Sequence, residues 1–85
     1  MGRRTISPSI LRSFNETIYA YPRQSHHIHM DTGVGYQVIG VAVHTTTMEP
    51  LVIYSEPNKY EILWARPAKE FGEKFVSVGH KTKKD

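Results

Sequence analysis

The side chains in this 85-residue chain best suited to coordination or proton chemistry are its histidines: His26, His27 and His29 close together, then His44 and His80. An imidazole titrates near neutral pH and can act as a base or a metal ligand. In a strand, His27 and His29 would point to one side and His26 to the other. His44 could approach that pair across a sheet. A transition metal asks for three or four ligands in defined geometry, and no Asp or Glu stands at a convincing spacing to complete the set. The expectation is no metal and no cofactor, with two strand-exposed histidines and one in a loop. Covalent catalysis fares no better. There is no cysteine and no G-x-S-x-G elbow, and Ser25 and Ser55 have no special context. Glu49, Glu56 and Glu61 fall in turns or at strand ends, and so short a chain can hardly build a cleft around a carboxylate pair. Gly33 and Gly35 sit in a hairpin-like turn, not in a strand-to-helix phosphate loop. The sequence reads as noncatalytic.

Recognition chemistry is better represented. Arg66 precedes Pro67, whose fixed backbone would hold it at a strand end. It could pair with Glu49 or Glu70, or present its planar donor fork to a carboxylate or phosphate. Trp64 lies two residues earlier. A barrel this small commonly uses one indole as core filling; at the surface it would be a recognition residue. Tyr19, Tyr21, Tyr54 and Tyr60 are candidates for a surface groove.

Several short elements must position these groups. Ser7 and Pro8 suit the N-cap and first position of a short helix, with Ile10, Leu11, Phe14 and Ile18 on one broad side. Thr17, Ile18, Tyr19 and Tyr21 argue instead for an extended stretch. DTGVG, from Asp31, is a turn. YQVIGVAVH follows as a strand with apolar residues on both faces, and Gly40 offers the place for a bulge. TTTMEP is a hairpin loop, LVIYS a strand and EPNKYE a turn. EILWA is a strand that Arg66-Pro67 ends. AKEF makes a helical turn stopped by Gly72, and KFVSV is the last strand. The expected core is Tyr36, Val38, Val41, Val43, Val52, Ile53, Ile62, Trp64 and Phe71. The fold class is mainly β, a small, partly open barrel of about five short strands with a short helical turn. The expected organisation is an N-terminal arm over 1–25, a barrel domain over 26–79 and a basic tail over 80–85.

Composition sets the outer limits. Eleven Lys and Arg against eight Asp and Glu give a formal charge of +3, a mild excess concentrated locally in HKTKKD. Without cysteine, neither a disulfide nor a thiolate metal site is available. No apolar run is long enough for a membrane span or a secretory leader, so the expected setting is cytoplasmic.

The order of these elements resembles a known family. Tyr36 and Gly40, then His44, Glu49-Pro50, Val52 and Tyr54, then Leu63-Trp64, Arg66-Pro67 and Phe71 are similar to the DUF1653 domains of bacteria, over about residues 27–75. The resemblance implies an SH3-like barrel and carries no established catalytic or binding residues. Two departures stand out. Members commonly have a histidine and a short lysine-glycine turn ahead of the first tyrosine; here His29-Met30-Asp31-Thr32-Gly33 makes a longer turn without lysine. Members often carry a basic residue after the second tyrosine, where this chain has Ser55.

Together these features point to a noncatalytic binding module for a protein segment or small anionic ligand. Its surface would be built by loops 30–35, 45–50 and 55–61, with His29, His44, Tyr54, Trp64 and Arg66 as the ligand-binding candidates. The alternatives are RNA or single-stranded nucleic-acid binding, helped by Arg3, Arg4, Arg12, Arg23 and the lysine tail; a structural subunit or homodimer; and, last, a small hydrolase-like enzyme.

Overall fold

A computed structural model describes residues 6–78. The expected basic tail, His80, Arg3 and Arg4 lie outside the described residues. The chain opens with helix α1, Pro8–Ala20, and continues through strands β1 (His26–His29), β2 (Gly35–Val43), β3 (Pro50–Ser55) and β4 (Trp64–Pro67). Helix α2, Ala68–Lys74, then leads into β5, Phe75–Ser77.

Helix α1 starts where its sequence directs it. The Ser7 hydroxyl accepts the Ile10 N–H at 3.3 Å, and Pro8 occupies the first turn, where a missing N–H costs nothing. The extended stretch expected over Thr17–Tyr21 does not form: the helix runs on to Ala20. Thr17 is buried and returns its hydroxyl to the Ser13 carbonyl at 2.9 Å, so a weak helix former is held by packing and a local bond. Ile10, Phe14 and Thr17 are the better-buried side of α1, which packs on β2 and β3, while Leu11 and Ile18 remain exposed.

The strands form one antiparallel sheet in the order β4-β3-β2-β1-β5. Each consecutive pair from β1 to β4 is joined by a hairpin, and β5 returns to the far side of β1. The barrel does not close. The two edge strands, β4 and β5, share no ladder, and α2 bridges them by packing on both. The apolar character of both faces of β2 has a simple cause. The register slips between Val38 and Gly40, and the extra residue resets the alternation. Val38 stands opposite Tyr54 and, beyond the bulge, Val41 stands opposite Val52, so all four face one side.

That side is the core. Val38, Val52, Tyr54, Phe71 and Phe75 are buried, with Tyr21, Tyr36 and Ala68 packed against them. Phe71 and Phe75 stack at 4.2 Å, one from α2 and one from β5. Burying a phenylalanine contributes roughly 2–3 kcal/mol, so these two rings and the helix between them fasten the ends of the sheet. Gly72 does not stop α2; it sits inside it, where an added Cβ would lie 2.7 Å from the Tyr21 hydroxyl. Two expected core residues are instead outside: Ile62 and Trp64 are each 50% exposed. The Tyr54–Phe71–Phe75 cluster already fills the interior, and Trp64 lies on an edge strand with no neighbour beyond it.

Candidate functional site

Tyr54 and Arg66 come from adjacent strands. Tyr54 pairs with Trp64 and Val52 with Arg66, so all four share the core side of the sheet. Arg66 is long enough to lie back along the cluster. Its Nε donates to the Tyr54 hydroxyl at 3.3 Å, its guanidinium carbon sits 5.7 Å from the Phe75 ring centre, and Nη1 is 3.9 Å from a Glu70 carboxylate oxygen. Of the two carboxylates weighed for it in the sequence, Glu70 is the one it approaches. Glu49 instead takes a hydrogen bond from the Thr47 hydroxyl at 3.1 Å. The hydrogen bond to Tyr54 first, against the opposing cost of burial and with a lesser contribution from Glu70, holds Arg66 more firmly in its charged form. Its side chain keeps 28% exposure. The guanidinium is therefore oriented through Nε, with Nη1 turned toward Glu70 and part of the group left to solvent.

Tyr36 completes the rim. Its ring meets Tyr54 at 5.2 Å and Phe75 at 5.6 Å, edge to face. Burial first, then Glu56, pushes its hydroxyl proton to a higher pKa than a free tyrosine has. At neutral pH it is a donor within the electrostatic influence of Arg66, on the side of the sheet that also carries the half-exposed indole of Trp64. Three donor-bearing groups surrounded by aromatic faces can receive a carboxylate or other small anion.

The histidines divide. His29 touches this cluster from behind, its ring 4.9 Å from that of Phe75, with Nδ1 accepting the Asp31 N–H at 3.2 Å. His27 is not strand-exposed as expected. It is 3% exposed, between Tyr21 at 5.6 Å and Phe71 at 5.1 Å. Ser25 gives its proton to the Pro22 carbonyl at 2.6 Å, so His27 Nε2 donates to Ser25 Oγ at 3.0 Å. Burial, helped by neighbouring His26, lowers its pKa. His44 lies elsewhere, in the loop beyond the Val43–Pro50 end of the hairpin, whereas Tyr54 is toward the other end. Its Nδ1 accepts from the Thr46 and Thr47 N–H groups at 3.0 and 3.3 Å. Among the described residues no three His, Asp or Glu side chains gather as a metal site.

Of the five candidates, Tyr54, Trp64 and Arg66 share the core side of the sheet, His29 backs onto Phe75, and His44 stands apart. Tyr36 and Phe75 were not singled out from the sequence as site residues. The available signal was spacing: Arg66–Glu70 and Phe71–Phe75 are both four apart across α2. Ser55 was also passed over. It is fully buried, its hydroxyl 2.9 Å from the Lys59 carbonyl and 2.8 Å from that of Ile62, and so it ties down the 56–62 turn below Trp64.

Two further hollows are lined by other residues. Arg12 and Tyr19 line one on the helix, with Leu11 and Glu16. Arg23 and Tyr60 line another with Gln37 and Ile39. The family model described as a protein of unknown function, DUF1653, matches residues 26–84, more than half of the chain. No curated protein and no solved structure matches it. No helix among the described residues is long and apolar enough to cross a membrane.

Proposed function

The chain belongs to the DUF1653 family, and on that premise we propose that it is a noncatalytic binding module whose ligand is a protein segment or small molecule bearing an anionic group. The observation that carries this reading is Arg66, held by Tyr54 and Phe75 with part of its guanidinium left to solvent. A charged group held in place loses little freedom when it meets a carboxylate, which favours binding. Tyr36 and Trp64 supply further donors and apolar surface on the same side. The scaffold is read as an SH3-like barrel left open between β4 and β5, because the strand order and the helix between the last two strands fit that arrangement.

The test is a 15N NMR titration with a pool of short peptides carrying free C-terminal carboxylates, run beside the same pool amidated. The expected result is shifts at Tyr36, Tyr54 and Arg66 with the free-acid pool alone, lost in Arg66→Gln. Equal responses to both pools, or none, would remove the anionic reading. A second reading, single-stranded RNA, is favoured by the pairing of Arg12 with Tyr19 and of Arg23 with Tyr60 at the two further hollows. Salt-sensitive shifts confined to those four residues on adding short RNA would put it first.

A further inference from the structure

A guanidinium offers a carboxylate two forks that can be gripped by a pair of bonds, one made by Nε with Nη2 and the other by Nη1 with Nη2. In Arg66 the Tyr54 hydroxyl engages the first, accepting from Nε at 3.3 Å. Glu70 stands at the second, one carboxylate oxygen 3.9 Å from Nη1. That separation makes an ion pair but is too long for a hydrogen bond. The remaining fork of Arg66 is thus faced by a carboxylate that has not closed on it. The two partners are held unequally. Arg66 sits in β4 opposite Val52, with its side chain tied to Tyr54. Glu70 lies in the first turn of α2, just before the buried Phe71. Its backbone is fixed, yet its side chain is 56% exposed, against 28% for Arg66. The cation is the anchored member and the anion the loose one.

We propose that Glu70 is an internal stand-in for the ligand's carboxylate: it faces the remaining fork of Arg66 in the free protein and is displaced when the anionic group binds. The inference rests on Arg66 being the anion-binding residue and adds a regulator to that site. An incoming carboxylate must break the Arg66–Glu70 pair and approach a like charge, so Glu70 weakens binding. The pair is partly solvated and contributes little to stability, so it exchanges readily for a ligand that closes both bonds of the fork. Displacement needs only a rotation of the Glu70 side chain into solvent, with no movement of α2. Glu56, the other carboxylate that acts on this cluster through Tyr36, is already paired with Lys59 at 3.5 Å. Glu73 lies on the same helix, exposed, and belongs to neither of the ion pairs of the described residues. It therefore carries the same charge as Glu70 without the contact, and serves as the control.

NMR titration of the full chain with the free-acid peptide pool tests it, run on the unaltered protein and on Glu70→Gln, Glu73→Gln and Arg66→Gln. Glu70→Gln should bind about threefold more tightly than the unaltered chain, the scale of one partly exposed ion pair. Glu73→Gln should leave the affinity nearly unchanged, and Arg66→Gln should abolish binding. In the unaltered chain the Glu70 side-chain carboxyl carbon should shift on adding the pool, toward its position in free Arg66→Gln, where the pair is already broken. An equal gain in Glu73→Gln would overturn the inference by assigning the effect to net charge. Weaker binding in Glu70→Gln would overturn it too, making Glu70 a contact for a cationic group on the ligand. Binding that requires Arg66 but is indifferent to Glu70 sinks this inference and leaves the anionic reading standing. No response in either the unaltered chain or Glu70→Gln removes both.

Discussion

The two ends of the β2–β3 hairpin use polar side chains in opposite ways. At the loop end, His44 spends its Nδ1 on two backbone N–H groups, its N–H on the Glu49 carbonyl and its carbonyl on Met48. Thr47 and Glu49 bond each other, and Met48 takes a left-handed φ of 65° to close the turn. These groups are largely committed to shaping the loop. Toward the other end, Tyr54 fixes Nε of Arg66 and Glu70 approaches Nη1 only at 3.9 Å, while the side chain stays 28% exposed. Both ends carry residues that look functional in sequence. What separates them is whether local backbone groups already satisfy those residues, which decides what remains for a ligand.

The largest way to break this contrast is to remove the support beneath Arg66. Phe71 is fully buried, with ring centres of Phe75, Tyr21, His27 and Tyr54 at 4.2, 5.1, 5.1 and 5.3 Å. Phe71→Ala should cost about 3–5 kcal/mol in urea unfolding. Against a total of roughly 5–15 kcal/mol for a small domain, that is a large share of the whole. A loss below about 1 kcal/mol would mean the cluster is not what joins α2 to the sheet.

Much of this arrangement was legible in the residues. The turn at Asp31, the bulge near Gly40, the hairpin loop before Pro50 and the β-rich order follow from local chemistry, and the structure has them. Trp64 was misplaced because hydrophobicity does not say whether a strand lies at the centre or edge of a sheet. Thr17–Ala20 was misplaced because β-branched propensity is weaker than the packing of a helix face. The hold of Tyr54 on Arg66 joins residues twelve apart, set by strand register and invisible to local spacing. His27 was read as exposed because polarity alone does not reveal a neighbour such as Ser25 that satisfies it.

His27 supplies a sharper comparison, since it reports on the core beneath Arg66 while His44 reports on the loop. Burial lowers the folded-state pKa of His27 below 6.5. The unfolded chain then binds the proton more readily than the folded one. Stability is full above about pH 6.5, the ordinary value of a free imidazole, and falls as the pH drops from there toward the folded-state pKa. Unfolding by urea between pH 7 and 5 should show this loss, and His27→Gln should flatten it. An unchanged slope in the variant would assign the pH dependence to other groups.

The smallest effects divide the two ends most cleanly. Tyr54→Phe keeps the ring and removes only the oxygen that accepts from Arg66 Nε. It should cost about 1 kcal/mol of stability, the usual worth of one such bond. It should also free the guanidinium, so that the Arg66 Nε–Hε signal broadens and the free-acid peptide pool binds more weakly. His44→Ala removes an acceptor shared by two N–H groups in an exposed loop, with a stability loss of about 0.5–1 kcal/mol. Its peptide response should match that of the unaltered chain. The two variants therefore cost similar amounts of stability and differ in binding. Equal loss of binding in both would mean that the peptide senses general loosening of the sheet. Loss in Tyr54→Phe alone ties recognition to the orientation of Arg66, which global stability does not control.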